Sequence, residues 1–530
     1  WSSDVCSSDL WHHESIVPVL GTVDFFDARI TMLFCIRRLC YMMYPELTEV
    51  EKLLEDYSRV PVFYSFLADF QTPVGVFEAL SCNQDECFLF ESAENSRRWG
   101  RYSFIGINPR MKLTVGGGKT SFAKDGVILS ESEGNIAGCI MELVNGRRSP
   151  CFKGLPRFTG GLVGYFGYDM LRYGEDVLGR PPTDDLQMPD CVLSLYEEVV
   201  AFDHLSGKIF IIQNINNESD IKAQYETCEK HAKDISSAVL NSTVRRKCRK
   251  NAKKPVITSD ITEKQFEKMV ETAKMHIFDG DIFQAVLSRR FEVENPPDPF
   301  DVYRVLRAAN PSPYLYFFKS PGYSIAGASP EMLIRVEDGN VTNRPIAGTS
   351  RRGKDEAEDA KLENELLHDE KERAEHTMLV DLGRNDVGRV CEFGTVKVDG
   401  FMHVERFSKV MHLVSEVNGR LKKGKTGVDA LFSALPAGTL SGAPKIRAMQ
   451  IIDSLEKHKR GVYGGAIGYV GFDGSVDTCI AIRTAVYRGD KAYVQAGAGI
   501  VADSVPEKEY AETANKAAAV LDAIKEAADL

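Results

Sequence analysis

The sequence predicts an α+β fold, and two observations point to it. Strand-like segments come in runs, with helical patterns grouped apart from them, whereas a doubly wound chain would alternate the two. A ten-residue segment also occurs twice, as GGLVGYFGYD at Gly160–Asp169 and GGAIGYVGFD at Gly464–Asp473. Six of its ten positions are identical, which fits one architecture built from similar sheets. The 530 residues exceed one ordinary domain, and 43 % apolar with 27 % charged residues is a globular composition.

The chain begins WSSDVCSSDL without a methionine, and an apolar stretch, Ile30 to Met43, is broken by Arg37 and Arg38. A signal peptide would carry charge first and a clean apolar region after it. Residues 1–43 are therefore expected to be a non-native extension outside the fold, with Met42 or Met43 as the start. Residues 44–244 form an N-terminal region. Glu46–Tyr57 reads as a short amphipathic helix, and Cys87–Ser92, Tyr102–Ile107 and Met111–Val115 read as strands. Gly116-Gly117-Gly118 reads as a hairpin turn, because no helix start follows it. Residues 245–255 form a basic linker, with seven Lys/Arg in the ten residues from Arg245 to Lys254 and Pro255 closing it.

Residues 256–530 form the third region. Thr262-x-Lys264-x-Phe266 signals a helix to about His276, followed by strands at 282–292, 314–319 and 323–328. A long charged helical region spans about Asp355 to Val390. Strands fill 462–502, with Asp473-Gly474 and Gly489-Asp490 as turns. In the last helix, Ser504-Val-Pro506-Glu507 matches a capping box, and Ala514, Ala517, Ala518 and Leu521 form the core stripe.

The net charge is −11, which argues against a nucleic-acid binder, though a cationic pocket can exist inside an acidic chain. None of the 12 cysteines forms a CxxC pair. Cys35/Cys40 and Cys82/Cys87 have no histidine cluster beside them, so reduced thiols in a cytoplasmic protein are expected. No run of 18 apolar residues exists, so no membrane span is expected.

Glu372-x-x-Glu375 and Glu509-x-x-Glu512 each put two carboxylates on one helix face. Each pair is by itself an ordinary solvated face, but two such faces meeting would supply hard oxygen ligands for magnesium. Glu512 and Lys516 are an i,i+4 pair, either a surface ion pair or a ligand with an anion-binding lysine. Gln495–Ala502 formally matches GxGxxA, but no second strand with an acidic end follows, so a dinucleotide site is excluded. Its glycines would instead let backbone N–H groups approach an anion. Leu435–Lys445 is Gly-rich without the Gly-Lys-Ser/Thr ending of a phosphate loop. His412 sits in an apolar strand-like run, as a core histidine or as an acid–base group.

In this order the pieces resemble the chorismate-utilising enzymes. The matching segments are Asp281–Arg290 (DIFQAVLSRR), Asn310–Phe317 (NPSPYLYF), Gly327–Glu331 (GASPE), Arg344–Thr349 (RPIAGT), Glu375–Asp386 (EHTMLVDLGRND), Leu435–Lys445 and Gln495–Lys516. Phe88–Gly106 is similar to the segment that helps hold inhibitory tryptophan in the anthranilate-forming branch of that family. The resemblance implies large antiparallel sheets in a layered sandwich flanked by helices. It implies Mg2+ as cofactor, with Glu375 and Glu512 as direct ligands and Glu372 and Glu509 in support. It implies chorismate binding by Gly348, Thr349, Thr439, Tyr463, Arg483, Gly497, Ala498, Gly499 and Lys516, with His412 aiding loss of the ring hydroxyl. Ser92, Pro313, Tyr314 and Leu315 match tryptophan-binding positions.

Two positions separate the family's branches. Water-adding members carry a lysine where Gln284 stands, and aminodeoxychorismate synthases usually carry a nucleophilic lysine where Ala347 stands. With neither, the nucleophile expected is external ammonia. No Gly-x-Cys-x-Gly loop surrounds any cysteine, so a separate glutamine amidotransferase subunit is expected, in a heterotetramer. The expected function is that of an anthranilate-forming lyase opening tryptophan biosynthesis under tryptophan feedback. The alternatives are an aminodeoxychorismate synthase subunit, weakened by Ala347, and a non-catalytic chorismate or tryptophan sensor, which need not keep His412 and the carboxylates.

Overall fold

Alternation along the strand Cys87–Glu91 shows how the molecule is layered. Phe88 and Phe90 turn toward one apolar cluster, Cys87 and Leu89 toward another. The first cluster lies between two large antiparallel sheets, since it joins Phe88 and Tyr316 of one to Val163 and Ile467 of the other. The second cluster seats helices, among them Pro299–Ala309 and Pro506–Ala527, on the outer face of the first sheet. A third does the same for Ile136–Asn145 and Gly427–Ala434 on the outer face of the second sheet. The result is the expected α+β sandwich flanked by helices. Strands buried on both faces read as continuous apolar runs, as Cys191–Tyr196 does.

The structure, a computed structural model, describes residues 42–93, 100–145, 149–241, 253–407 and 410–530. The N-terminal extension up to residue 41, most of the basic linker, and residues 94–99 of the expected tryptophan segment lie outside the described residues. Met43–Leu530 form one compact unit. Each sheet has twelve strands. Along the first the order is Arg59–Leu67, Lys208–Asn216, Glu198–Asp203, Tyr102–Ile107, Cys87–Glu91, Tyr314–Ser320, Tyr323–Ser329, Thr484–Arg488, Lys491–Ile500, Gln284–Glu294 and Val256–Ser259, and the twelfth, Gly442–Ala443, also pairs with Gln284–Glu294. Both sheets thus take strands from both sides of the basic stretch at 245–255. The repeated segments sit side by side in the second sheet, where Gly161–Phe166 pairs with Ala466–Gly471 and Gly164 faces Gly468. A Cβ at Gly164 or Gly468 would come within 1.9 or 2.0 Å of a neighbouring backbone oxygen, which is why both are glycine.

Local signals hold in most places. Thr262 caps Glu263–Phe278 in a capping box with Gln265, and the three-glycine run is the turn between Met111–Gly116 and Lys119–Lys124. One expectation is resolved more finely and one is corrected. The charged region at 355–390 is two helices, Glu356–His368 and Glu370–Val390, because Asp369 accepts the Glu372 N–H and starts a new helix. The final helix has Val505, not Ser504, as its N-cap. The Ser504 hydroxyl instead accepts the Val501 N–H and bonds Glu509, so there is no capping box. Its buried stripe is Thr513, Ala517, Val520, Leu521 and Ile524, with Ala514 and Ala518 half-buried.

Candidate active site

Two helices and several loop and strand segments close around one cavity of about 460 Å3. The helix Glu370–Val390 contributes Glu372 and Glu375, and Pro506–Ala527 contributes Glu509, Glu512 and Lys516. Gly348 and Thr349 come from the strand Ile346–Arg351, and His412 from its neighbour Val410–Arg420. Thr439 lies in a single helical turn, Gly438–Leu440. Tyr463, Arg483, Gly497 and Gly499 complete the set. Every catalytic, metal and substrate residue expected from the sequence therefore lines this cavity except Ala498. Strand alternation turns the Ala498 side chain away, into the cluster with Phe266, Leu287 and Ile452.

The glycines create the space. A Cβ on Gly497 would stand 2.8 Å from the Leu287 carbonyl oxygen and 2.9 Å from the Tyr463 hydroxyl. One on Gly499 would stand 2.5 Å from Gln284 Nε2. Gly348 has a φ of 60°, and Arg483 holds φ 52°, a left-handed conformation disfavoured for a side chain of its size. The strain aims Arg483 into the cavity, where its guanidinium also donates to the Lys516 carbonyl. Burial lowers its proton affinity, but an arginine stays charged at any ordinary pH.

Carboxylate oxygens are the hard donors that magnesium takes. Glu372, Glu375 and Glu509 are all held above the usual carboxylate range, mainly by burial, and each is raised further by Glu512. A divalent cation would relieve that repulsion. Glu512 is half-exposed and pairs with Lys516 at 2.5 Å, an interaction worth little in such a solvated place. Among the described residues no three His, Cys, Asp or Glu side chains stand in a closed metal-holding group. The donor set fits two direct carboxylates completed by water and substrate oxygens.

Two proton-handling groups face the cavity, with opposite states. The His412 ring is pushed down by burial and by Arg483, so it is neutral at pH 7. Its Nδ1 lies 2.9 Å from the Gly348 carbonyl. A carbonyl only accepts, so Nδ1 carries the proton and Nε2 is left as the basic atom. In the sequence Glu331 is only the last residue of the GASPE segment, and nothing there assigns it a role. Desolvation pushes its carboxyl up to about 8, against the lowering effects of Thr439 and Lys516. It is thus a neutral acid near pH 7, and Thr439 donates to it at 3.2 Å. Composition could not reveal it, because its perturbation comes from burial. Lys371, also unforeseen, lines the cavity beside Glu375.

A second cavity, lined mainly by aromatic and apolar side chains, holds all four expected tryptophan positions: Ser92, Pro313, Tyr314 and Leu315. Tyr314 donates to Asp477 at 2.9 Å, and Arg335 pairs with the same carboxylate at 2.7 Å. The buried Ser92 hydroxyl has no partner among the described residues. Pro330 lines both cavities. No helix of the described residues is long and apolar enough to cross a membrane.

The sequence profile of chorismate binding enzymes matches residues 85–522. The chain is 49 % identical to anthranilate synthase component 1 of Acetivibrio thermocellus over 500 residues, 92 % of this chain and 100 % of that one. It is 45 % identical to the protein of the same name from Aquifex aeolicus, over 90 % of this chain and 97 % of that one. Among solved structures, anthranilate synthase component I from Streptococcus pneumoniae superposes with a TM-score of 0.70 at 42 % identity, covering 81 % of this chain and 93 % of the other. The menaquinone-specific isochorismate synthase of Escherichia coli superposes with a TM-score of 0.66 at 19 % identity, over 90 % and 99 %, a likeness of fold alone.

Proposed function

Because the chain belongs to the chorismate binding enzyme family, we propose that its polar cavity converts chorismate and ammonia into anthranilate and pyruvate. One observation carries this reading. The cavity joins four carboxylates from two distant helices to Arg483, Lys516 and a neutral acid, with Gln284 and Ala347 where other branches carry a lysine.

Arg483 and Lys516 supply counter-charge for the carboxylates of chorismate, and the Gly497–Gly499 backbone lets the ring approach closely. Glu375 and Glu512 would hold Mg2+, with Glu372 and Glu509 in support. The bound ion supplies Lewis-acid stabilisation of charge at a substrate carboxylate. Ammonia forms a C–N bond to the ring as the hydroxyl leaves. Glu331 holds the proton that the departing hydroxyl needs, and His412 hydrogen-bonds and orients that end of the ring. Environments that push two groups apart in this way assign acid and base. His412 Nε2 then takes the ring proton, the bond to the enolpyruvyl oxygen breaks with its electrons going to that oxygen, the enolate takes up a proton to leave as pyruvate, and the ring becomes aromatic. Gln284 lacks a basic nitrogen, so it has no means of activating water. A partner glutamine amidotransferase would supply ammonia, and the reaction would open tryptophan biosynthesis. Tryptophan would inhibit from the aromatic cavity, where the unpartnered Ser92 hydroxyl offers a hydrogen bond.

The test is to incubate the chain with chorismate, Mg2+ and ammonium at mildly alkaline pH and to follow anthranilate fluorescence. Aminodeoxychorismate as product, or no turnover, would overturn the reading. Ser92→Ala should raise the tryptophan concentration for half-inhibition. Unchanged inhibition would place the effector elsewhere.

A further inference from the structure

His376 follows the proposed ligand Glu375 directly, yet it points the other way. About 100° of helix rotation separates neighbouring residues, so Glu375 faces the cavity while His376 enters the core, 0 % exposed. There its Nε2 lies 2.7 Å from the Ser415 hydroxyl, also 0 % exposed. Ser415 is three residues beyond His412 on the strand Val410–Arg420, so the two occupy opposite faces of that strand.

Ser415 ties together more than this pair. Its Oγ accepts the Met402 N–H at 2.9 Å. Met402 holds φ 53° within the irregularity of the strand Lys397–Arg406 between Asp399 and His403. The Ser415 N–H donates to the Pro345 carbonyl, just before the strand carrying Gly348 and Thr349. Among the described residues, His376–Ser415 is the one side-chain hydrogen bond from the helix Glu370–Val390 to the strand of His412. His376 Nδ1 has no partner there, so this bond alone offsets burial of the ring. Apolar packing tolerates a helix sliding or rotating a little. A directional bond between two fully buried polar groups does not, because losing it leaves both unsatisfied.

We propose that His376 and Ser415 are a positioning pair that fixes the helix of Glu372 and Glu375 over the strand of His412, and so sets the geometry in which those carboxylates take a divalent cation. This rests on the reading that they bind Mg2+. The pair touches neither cation nor substrate and acts through the helix backbone.

The experiment is Mn2+ binding to the full chain, read from the loss of the free-ion EPR signal and checked by Mg2+ competition. Outer-shell partners of metal ligands are worth about 10–100-fold in affinity, so Ser415→Ala and His376→Asn should each raise the Mn2+ Kd about tenfold. The double variant should be little worse than either, since both remove one bond. A glutamine amide puts a polar atom near the place of Nε2, and an asparagine amide near that of Nδ1. His376→Gln should therefore stay within about threefold of the parent chain, a rescue that a merely structural role does not predict. Ser415→Ala removes one oxygen and decides the matter if the histidine variants fail to fold. Unchanged Mn2+ affinity in Ser415→Ala, with only a lower melting temperature, would overturn the proposal. So would His376→Gln binding as weakly as His376→Asn. A parent chain that takes up no Mn2+ would instead defeat the metal reading on which the pair depends.

Discussion

The two halves of the chain lay down the same strands in the same order. Inward from the outer strand of the first sheet, the N-terminal half runs Arg59–Leu67, Lys208–Asn216, Glu198–Asp203, Tyr102–Ile107, Cys87–Glu91. The C-terminal half, read inward from Gln284–Glu294, runs Lys491–Ile500, Thr484–Arg488, Tyr323–Ser329, Tyr314–Ser320. Counted from Lys208 and Lys491, Asn214 and Asn216 take the places of Gly497 and Gly499. Asn214 donates to the Thr159 and Glu197 carbonyls, Gln224 bonds the Asn216 backbone, and Arg59 pairs with Glu197 at 2.8 Å. Counted from the helix starts, Gln224, Thr227 and His231 replace Glu509, Glu512 and Lys516. One architecture therefore holds the polar cavity beside Gly497 and Gly499 in one half, and hydrogen-bonded side chains at the matching places in the other. The difference lies in a few side chains, which is why function belongs to the site and not to the fold.

The largest effect that would sharpen this contrast is at Glu512. A bound cation contributes several kcal/mol, so Glu512→Gln should cut anthranilate formation about a thousandfold. Thr227→Ala, at the matching place in the other half, should leave steady-state rates within about twofold. Wild-type rates in Glu512→Gln would make the carboxylate half of a surface ion pair and nothing more.

Next comes Glu331→Gln, which keeps shape and neutrality but removes the acidic proton. kcat should fall about a hundredfold with the chorismate KM little changed, the size of a lost general acid. An intact kcat would shift the acid role to His412.

Gly497→Ala intrudes on Leu287 and Tyr463 and should lower kcat/KM by about tenfold, since a small misplacement of substrate is costly. Asn214→Ala should instead leave kinetics alone and cost about 1–2 kcal/mol in urea unfolding, because two buried carbonyls lose a donor. If both variants damaged activity equally, the halves would not be functionally distinct.

The smallest effect is on pH dependence. Glu331 binds its proton more tightly folded than unfolded, with about 8 against an ordinary 4.5. Between those values the folded chain holds a proton that the unfolded chain has lost, so stability falls as pH rises through that window. Melting of the metal-free chain at pH 5 and pH 8 should show this slope, less steep in Glu331→Gln. At saturating free ammonia, kcat should likewise fall as pH rises through about 8.

Much of this was legible from local chemistry. The Thr262-x-Lys264-x-Phe266 helix start, the three-glycine turn, and the Pro506 start of the last helix are signals that act over a few residues, and the structure contains them. What stayed illegible shares a cause. The charged helical region at 355–390 did not show where it divides, because the Asp369 carboxylate takes the Glu372 N–H and starts a second helix. Ser504 has the chemistry of a cap, yet Val501 and Glu509 claim its hydroxyl. Ala498 lies between two site glycines, and strand alternation turns it to the core. In each case a competing partner or the backbone geometry, and not the residue type, decided where the group points.

By itself the sequence determined which side chains have the chemistry for the site, where most strands and helices run, and which nucleophile the missing lysines at 284 and 347 point to. Only the tertiary structure decided that Glu372 and Glu375 share a cavity with Glu509 and Glu512, over a hundred residues away. It also decided that Glu331 keeps its proton and His412 does not become charged. The physical reason is that spacing along a chain sets only local geometry. Convergence and desolvation are properties of packed surroundings, assembled from segments that meet when the sheets close.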